Sequence, residues 1–304
     1  MVSVRNLSKS FPPSKVPALD SISLEVSKGE LFGVIGPDGA GKTTLFRILT
    51  TLLLPVSGSA SVDNFDIVRN YKDIRSHVGY MPGRFSLYQD LTVEENLNFF
   101  ATLFGTTISE NYHLIKDIYG QIEPFKNRRA GKLSGGMKQK LALSCALIHK
   151  PGVLFLDEPT TGVDPVSRRE FWQMLKRLKQ EGITILVSTP YMDEATLCDR
   201  IALIQEGKIL AVNTPATMIS QYPEKLYAVR SREIPGLLLD LRQYENTRSC
   251  FSFGEYLHLS FLNDAGESIS AVRDYLEKKG HEEIEINASV PTIEDCFIRL
   301  LNRN

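Results

Sequence analysis

The sequence lacks the features that mark disulfide-stapled, zinc-binding, secreted or membrane-spanning proteins. Its four cysteines are far apart and form no C-x-x-C pair, so we expect buried free thiols in a reducing cytosol. The longest apolar runs, such as residues 141–148, are about half the roughly 20 residues that cross a bilayer. Residues 1–11 alternate like a strand and lack the charged-then-apolar layout of a signal peptide. Any membrane contact should therefore come through a partner.

An excess of basic charge is also missing. Lysine and arginine number 35 against 36 for aspartate and glutamate, a formal net charge of -1, which excludes the broad basic field of a typical nucleic-acid-binding protein. Any anion site must therefore be local, and we expect no nucleic-acid partner. With 304 residues, of which 42% are hydrophobic and 23% charged, the chain should fold into one large domain and one smaller domain.

Alternation and apolar runs predict an α/β domain over residues 1–220. Short alternating stretches predict antiparallel strands near the start, and continuous apolar runs predict buried strands of a sheet core. The predicted strands are residues 2–7, 22–26, 31–35, 153–156, 183–188, 201–204 and 209–212. A strand, a helix and a strand in succession imply a parallel sheet, whereas the short turn before residue 209 predicts a hairpin.

Start and stop signals define the predicted helices. Residues 42–53 carry apolar side chains at helical spacing. Thr92, with Glu95 three residues on, should cap the first helix of an inserted helical lobe over residues 90–150. Asp164 should cap a later helix that a proline starts and a glycine ends.

Residues 226–304 predict a small α+β accessory domain. The pattern there is strand, helix, strand, strand, helix, strand, helix, with breaks at Gly254 and at residues 263–266. This region has no glycine-rich anion loop, no clustered histidines and no long repeat. We therefore interpret it as a structural or regulatory appendage without a second active site.

A phosphate-binding loop is indicated between the strand at 31–35 and the helix that follows it. The pattern G-x-x-x-x-G-K-[ST] is fitted by Gly36, Pro37, Asp38, Gly39, Ala40, Gly41, Lys42 and Thr43, with Thr44 next. In this pattern backbone amides and a helix amino terminus face the phosphates. Lys42 should neutralise the β and γ oxygens, and Thr43 should hold magnesium. The alternative is an ordinary glycine turn.

A second motif is an apolar strand that ends in two carboxylates. Asp157 and Glu158 follow residues 153–156, which should place Asp157 near the metal at the phosphate loop and Glu158 beside the attacking water. Without the phosphate loop, a strand that meets a solvated turn would explain this pattern equally well.

A third motif opens another helix. Leu133-Ser134-Gly135-Gly136-Met137-Lys138-Gln139 combines a serine cap with two glycines, and so provides a second anion-binding helix end. The first nucleotide site does not need this surface. A simple helix cap with incidental glycines is the alternative.

Together these motifs, with Thr161-Gly162-Val163-Asp164, resemble an ATP-binding cassette (ABC) ATPase subunit over residues 1–220. The resemblance implies an ABC-type P-loop NTPase fold, with a mixed sheet core, an antiparallel β subdomain and a helical subdomain. Residues 86–97 and 291–297 are similar to the branch that serves multidrug and ABC-2 type exporters.

The resemblance also implies cofactors, partners and residue roles. Two cassettes would enclose two Mg-ATP molecules on the cytoplasmic side of a membrane permease, and Lys42 and Glu158 would be catalytic. Phe11 would stack on adenine, unless it is a core phenylalanine. Metal would bind at Thr43 and Asp157, and Asp164 would belong to a loop at the dimer interface. The residues that would contact the partner's nucleotide are Ser134, Gly135, Gly136 and Met137.

Two positions depart from the family pattern. Gly83 replaces the glutamine that contacts magnesium and senses the membrane partner, and Pro190 replaces the histidine that holds the γ-phosphate and the attacking water. Neither replacement can make these contacts, because glycine has no side chain and proline has no N–H. We therefore expect ATP binding with slow hydrolysis.

The two replacements at the nucleotide site and the intact segment at residues 133–139, called the signature segment below, favour pairing with a different cassette subunit, with a homodimer as the alternative. Two other classes remain open. One is a non-hydrolysing regulatory cassette, and the other is a soluble ABC ATPase that is not tied to transport.

Overall fold

The structure, a computed structural model, describes residues 1–13, 16–262 and 269–302. It divides the chain into two compact units, Met1–Pro215 and Ala216–Asn304. Within the described residues, the strands form three sheets, two in the first unit and one in the second.

The first unit contains ten strands among its described residues. They are β1 (Val2–Lys9), β2 (Leu19–Val26), β3 (Leu31–Ile35), β4 (Ser57–Val62), β5 (Phe65–Asp66), β6 (Val78–Met81), β7 (Val153–Asp157), β8 (Thr184–Thr189), β9 (Arg200–Gln205) and β10 (Lys208–Asn213). An antiparallel sheet has the order β2-β1-β4-β5, and a mixed sheet has the order β10-β9-β3-β8-β7-β6. In the mixed sheet β10 pairs antiparallel with β9, and the other pairings are parallel.

Helices follow the strands of the mixed sheet. The α-helices of the first unit are α1 (Lys42–Leu49), α2 (Tyr71–His77), α3 (Val93–Leu103), α4 (Ile108–Tyr119), α5 (Gly135–Leu147) and α6 (Pro165–Gln180). The predicted helical lobe therefore consists of α3, α4 and α5. The Thr92 side chain accepts from the Glu95 N–H while the Glu95 carboxylate accepts from the Thr92 N–H, which confirms the predicted cap.

The core of the first unit explains the position of the phosphate loop. All five residues of β3 and of β7 are buried, as expected for central parallel strands. Phe46 of α1 packs edge-on against Phe155 of β7, with ring centroids 5.6 Å apart. This contact fixes α1 against the sheet, so that its first turn lies at the carboxyl ends of β3 and β7.

The predicted length of α1 was wrong. The helix ends at Leu49, not at residue 53, because the Thr50 hydroxyl donates to the Phe46 carbonyl and Thr51 adopts a left-handed backbone with φ of 62°. The amides of Leu52 and Leu53 turn back to the Arg47 carbonyl, and Leu52 is exposed. The helical spacing of apolar residues in the sequence therefore extends beyond the last residue of the helix.

The second unit has the element order that the sequence predicts. After the helix α7 (Pro215–Ser220) come β11 (Leu226–Arg230), α8 (Ile234–Gln243), β12 (Thr247–Phe253), β13 (Tyr256–Phe261), α9 (Ile269–Lys278), β14 (Glu285–Ser289) and α10 (Ile293–Leu301). The antiparallel sheet has the order β12-β13-β11-β14. Gly254 forms the predicted break between β12 and β13, whereas the break at 263–266 lies outside the described residues.

The α/β core, the antiparallel and helical subdomains and the added α+β region confirm the predicted fold class. Cys145, Cys198, Cys250 and Cys296 are all buried free thiols, as expected. Among the described helices, none combines the length and the apolar character needed to cross a membrane.

Candidate functional site

The phosphate loop, residues 36–43, connects β3 to α1 through a tight turn. Gly41 has a φ of 107°, and a Cβ there would lie 2.5 Å from the Ala18 carbonyl oxygen. A Cβ on Gly36 would lie 2.1 Å from the Ile204 carbonyl oxygen. These two positions accept only glycine, so the loop backbone is packed closely against the strands around it.

Lys42 is buried beneath this loop. Its ammonium donates to the Gly36 carbonyl at 2.8 Å and to the Pro37 carbonyl at 2.9 Å, and it lies 3.0 Å from a carboxylate oxygen of Glu158. These contacts fix a cation inside the turn whose amides can bind phosphate.

Asp157 and Glu158 lie at the end of β7, next to the loop. Asp157 is 2% exposed, and its Oδ1 accepts from the Thr43 hydroxyl at 3.2 Å. Glu158 has a left-handed backbone, with φ of 50°, and this turns its carboxylate to Lys42. The structure therefore brings Lys42, Thr43, Asp157 and Glu158 together.

Ser188 of β8 holds both carboxylate residues in place. Its hydroxyl donates to Asp157 Oδ1 at 2.7 Å, and the Glu158 N–H donates to the hydroxyl and the carbonyl of Ser188, each at 3.0 Å. These bonds offset the cost of the left-handed conformation at Glu158. Ser188 was not among the residues predicted from the sequence. Its place in register with Asp157, on the neighbouring parallel strand, is the signal that identifies it.

The signature segment forms the amino terminus of α5. Ser134 caps the helix, since its hydroxyl accepts from the Met137 N–H at 3.4 Å. A Cβ on Gly136 would lie 3.0 Å from the Ser167 hydroxyl of α6. Gly136 thus lets α5 approach α6 closely.

Asp164 caps α6, and its carboxylate accepts from the N–H groups of Val166 and Ser167 at 3.1 and 3.0 Å. The backbone hydrogen bond from Ser167 is the main cause that holds the pKa of Asp164 below its ordinary value. Residues 164–166 are exposed.

A buried carboxylate that the sequence argument did not identify connects three segments beside this site. Glu194 is 2% exposed, and its Oε2 accepts from the hydroxyls of Thr160 and Thr189 at 3.0 and 2.5 Å. Its Oε1 accepts two bonds from the Arg168 guanidinium, at 3.1 and 3.0 Å. Glu194 thereby joins the loop after β7, the first turns of α6 and the end of β8.

Pro190 directly follows this network. The Tyr191 N–H donates to the Thr189 hydroxyl at 3.1 Å, so hydrogen bonds fix the residues on both sides of Pro190. Gly83 lies next to Asp157 and Glu158, because a Cβ there would be 3.0 Å from the Asp157 carbonyl oxygen and 3.7 Å from Glu158 Cβ. Both departures from the family pattern therefore border the site.

Phe11 is not a core residue. It is 42% exposed, and the Lys9 ammonium lies 5.2 Å from its ring centroid. Its loop begins near the phosphate loop, because the Ala18 N–H donates to the Lys9 carbonyl and Ala18 approaches Gly41. An exposed ring on this loop fits the adenine-stacking prediction, which stays a prediction.

Comparison with known proteins identifies the family. The family model described as "ABC transporter" matches residues 19–161. The Nod factor export ATP-binding protein I of Burkholderia lata is 38% identical over 221 residues, which cover 72% of this chain and 72% of that protein. The chain belongs to the ABC transporter ATP-binding proteins.

Two further ABC proteins extend the comparison. The probable multidrug ABC transporter ATP-binding protein YbhF of Escherichia coli is 40% identical over 313 residues, which cover 99% of this chain and 52% of YbhF. The chain thus spans about half the length of YbhF. The ATP-binding cassette MJ0796, solved as a dimer in a post-hydrolysis state with ADP and Pi, is 26% identical with a TM-score of 0.64, over 70% of this chain and 98% of that chain.

Proposed function

We propose that this ABC chain is the ATP-binding subunit of a membrane exporter, which binds Mg-ATP at residues 36–44 and couples closure over the nucleotide to transport. The observation that carries this proposal is the convergence of Lys42, Thr43, Asp157 and Glu158 within hydrogen-bond distance around a phosphate loop. The name of the Nod factor export protein supports export as the direction of transport, and that of YbhF supports a multidrug transporter.

Each residue of this cluster has a distinct role in the proposed reaction. The Lys42 ammonium binds the β- and γ-phosphate oxygens, which accept from it more strongly than the loop carbonyls do. Glu158, once Lys42 contacts phosphate, accepts the proton of the attacking water. Ser188 keeps the Glu158 backbone in the conformation that directs its carboxylate at the phosphate loop.

The donor set at Thr43 and Asp157 fits Mg²⁺. A hydroxyl and a carboxylate oxygen lie 3.2 Å apart, and both are the hard oxygen donors that Mg²⁺ prefers. Across the described residues, no cluster of three His, Cys, Asp or Glu side chains could hold a metal ion, so phosphate and water would complete the shell. Bound Mg²⁺ would neutralise charge on the phosphate oxygens.

Hydrolysis at this site should be slow. Gly83 borders Asp157 and Glu158 but has no side-chain amide, and Pro190 follows the fixed Thr189 but offers no hydrogen-bond donor. Positioning groups supply much of the acceleration in phosphoryl transfer. The second candidate function, a regulatory cassette that binds ATP without hydrolysing it, rests on the same two residues.

The proposed partners are a second cassette subunit and a permease, with this chain peripheral on the inner face of the membrane. The dimeric MJ0796 structure supports a cassette partner, and the exposed residues 164–166 beside the signature helix suit a dimer interface. We assign permease docking to a cavity of about 740 Å³ between the mixed sheet and the helical lobe. It is lined by Met81, Phe100 and Phe104, with Arg47 and Arg75 at its wall.

Replacing Lys42 by Ala tests the nucleotide site. Loss of a charge-assisted contact should cost about 1.5 to 3 kcal/mol, or roughly a 10- to 150-fold weaker Kd for Mg-ATP by calorimetry. Lys116→Ala, on the exposed face of α4, is the matched control and should leave the Kd unchanged. Undiminished ATP affinity in a folded Lys42→Ala protein would refute the site.

A further inference from the structure

The sheet of the C-terminal unit has one face in the core and one face that lines a cavity. Helices α8 and α9 cover the first face, where Cys250, Leu257 and Leu259 are buried. Because side chains alternate along a strand, Ser249 and Phe251 of β12 and their partners Ser260 and His258 of β13 lie on the opposite face.

A cavity of about 420 Å³ opens on this opposite face. Residues of α10 and residues 222–226 complete its wall. This volume lies within the range of small-molecule sites in proteins, which join apolar walls with a few polar groups. Phe251, Tyr222 and Ile298 provide the apolar surface here, and the polar groups include two arginines, a histidine and the carboxylates of Glu224 and Asp295.

The two arginines have unused hydrogen-bond donors. Arg299 donates through Nε to Glu224 at 2.6 Å, and no acceptor among the described residues binds its terminal nitrogens. Arg248 is 3.7 Å from the same carboxylate, which is beyond hydrogen-bond distance. Two guanidinium groups therefore share one carboxylate, and this end of the cavity has an excess positive charge.

The histidine is fixed at the floor of the cavity. His258 Nδ1 lies 2.8 Å from Asp295 Oδ1, and the Phe253 ring stacks on the imidazole at 4.1 Å. The other oxygen of Asp295 accepts from the N–H and the hydroxyl of Thr292, each at 2.7 Å. These donors engage both oxygens of the Asp295 carboxylate and fix its orientation at the cavity wall.

We propose that this cavity binds a small organic anion, a carboxylate or phosphate group attached to a flat apolar body. The anionic group binds the free nitrogens of Arg248 and Arg299, whose fork geometry matches carboxylate and phosphate oxygens. The apolar body packs against Phe251 and Ile298. This site is separate from the nucleotide site and goes beyond the proposed function.

Calorimetric titration of the full chain with phenyl phosphate and with benzoate tests the proposal. Saturating Mg-ADP is present to fill the phosphate loop. At least one anion should bind with a Kd of about 1 mM or tighter, and the stronger of the two identifies the preferred group. Inorganic phosphate should bind more weakly, because it has no apolar body, and benzylamine should not bind.

The variant Arg248→Gln tests whether the anion binds in the cavity. Because Arg248 forms only a long ion pair with Glu224, the substitution should not disturb the fold. It should weaken the affinity about tenfold or more. Arg232→Gln, which removes an exposed arginine of the same unit that pairs with Glu282, is the control and should have no effect. Anion binding is assigned to the cavity by the effect of Arg248→Gln. The effects of the two arginine substitutions would therefore be the same whether or not the phosphate loop binds nucleotide.

Three results would overturn the proposal. They are the absence of saturable binding by both anions, an equal effect of the two arginine substitutions, and binding of benzylamine or inorganic phosphate as tight as that of the aromatic anions.

Discussion

Replacing Gly83 by Gln and Pro190 by His in the same chain should accelerate ATP hydrolysis. Each new side chain would place a hydrogen-bond donor beside the γ-phosphate, where Lys42 and Glu158 already lie together. Removal of one donor that stabilises transition-state charge typically costs about 10²- to 10³-fold in kcat. We therefore expect the double variant to turn over at least about 100 times faster than the unmodified chain.

The structure indicates what each substitution must overcome. A Cβ at position 83 lies 3.0 Å from the Asp157 carbonyl oxygen, so the backbone must move by a few tenths of an ångström to admit glutamine. Position 190 should accept histidine more readily. The hydrogen bonds of Thr189 and Tyr191 hold the loop, and residue 190 takes part in neither of them. Histidine there adds an N–H and removes no bond that the structure shows.

Steady-state ATPase assays with Mg-ATP measure the effect, and calorimetry confirms that ATP still binds. The matched control is Gly83→Ala with Pro190→Ala, which introduces the same Cβ at 83 and the same N–H at 190 without the amide or imidazole. The control should stay slow. Rapid hydrolysis by the unmodified chain, or equal acceleration in the alanine control, would refute the reasoning.

Two further predictions concern buried carboxylates. Glu194→Ala should destabilise the first unit by about 2 to 3 kcal/mol in urea unfolding, because the partly exposed Arg168 and two threonine hydroxyls lose their acceptor. The adjacent Asp193→Ala should cost less than about 0.5 kcal/mol, since Asp193 is 77% exposed; equal losses would contradict the role of Glu194. Burial alone would raise the pKa of Asp295, but hydrogen bonds from His258 and Thr292 outweigh it and hold the pKa below 3.8. The stability that Asp295 adds over Asp295→Asn should therefore be complete well above pH 3.8 and disappear as the pH falls through the lower, folded value; a difference that grows on acidification would contradict this sign.

The parts of the site that lie in one continuous segment were predictable from the sequence. The phosphate loop and the Asp157-Glu158 pair are local motifs whose positions follow from the strands before them. The Glu194 network was not predictable, because Thr160 and Glu194 are 34 residues apart and meet only through the fold.

The same distinction applies to the secondary structure. The buried strands β3 and β7 are continuous apolar runs, and the sequence predicted them correctly. Strand β4 (Ser57–Val62) was missed, because three serines and a glycine give it little strand propensity. It forms by pairing with β1, whose paired residues lie 49 to 60 positions earlier in the chain.

The central claim is that this chain binds ATP but hydrolyses it slowly, and that it supplies its signature helix to the nucleotide site of another cassette. The backbone amides and dipole at the Ser134 helix end would stabilise charge on the partner's γ-phosphate. Ser134→Arg should block closure there, whereas Glu158→Gln should remove only the proposed base of this chain's own site.

The most direct measurement is ATPase activity of the reconstituted complex of permease and both cassettes. Ser134→Arg should abolish most of the activity, and Glu158→Gln should remove little. The control Ser109→Arg, at an exposed serine of α4, should have no effect. Loss of activity in Glu158→Gln with activity retained in Ser134→Arg, or recovery of only a symmetric homodimer from membranes, would contradict the central claim.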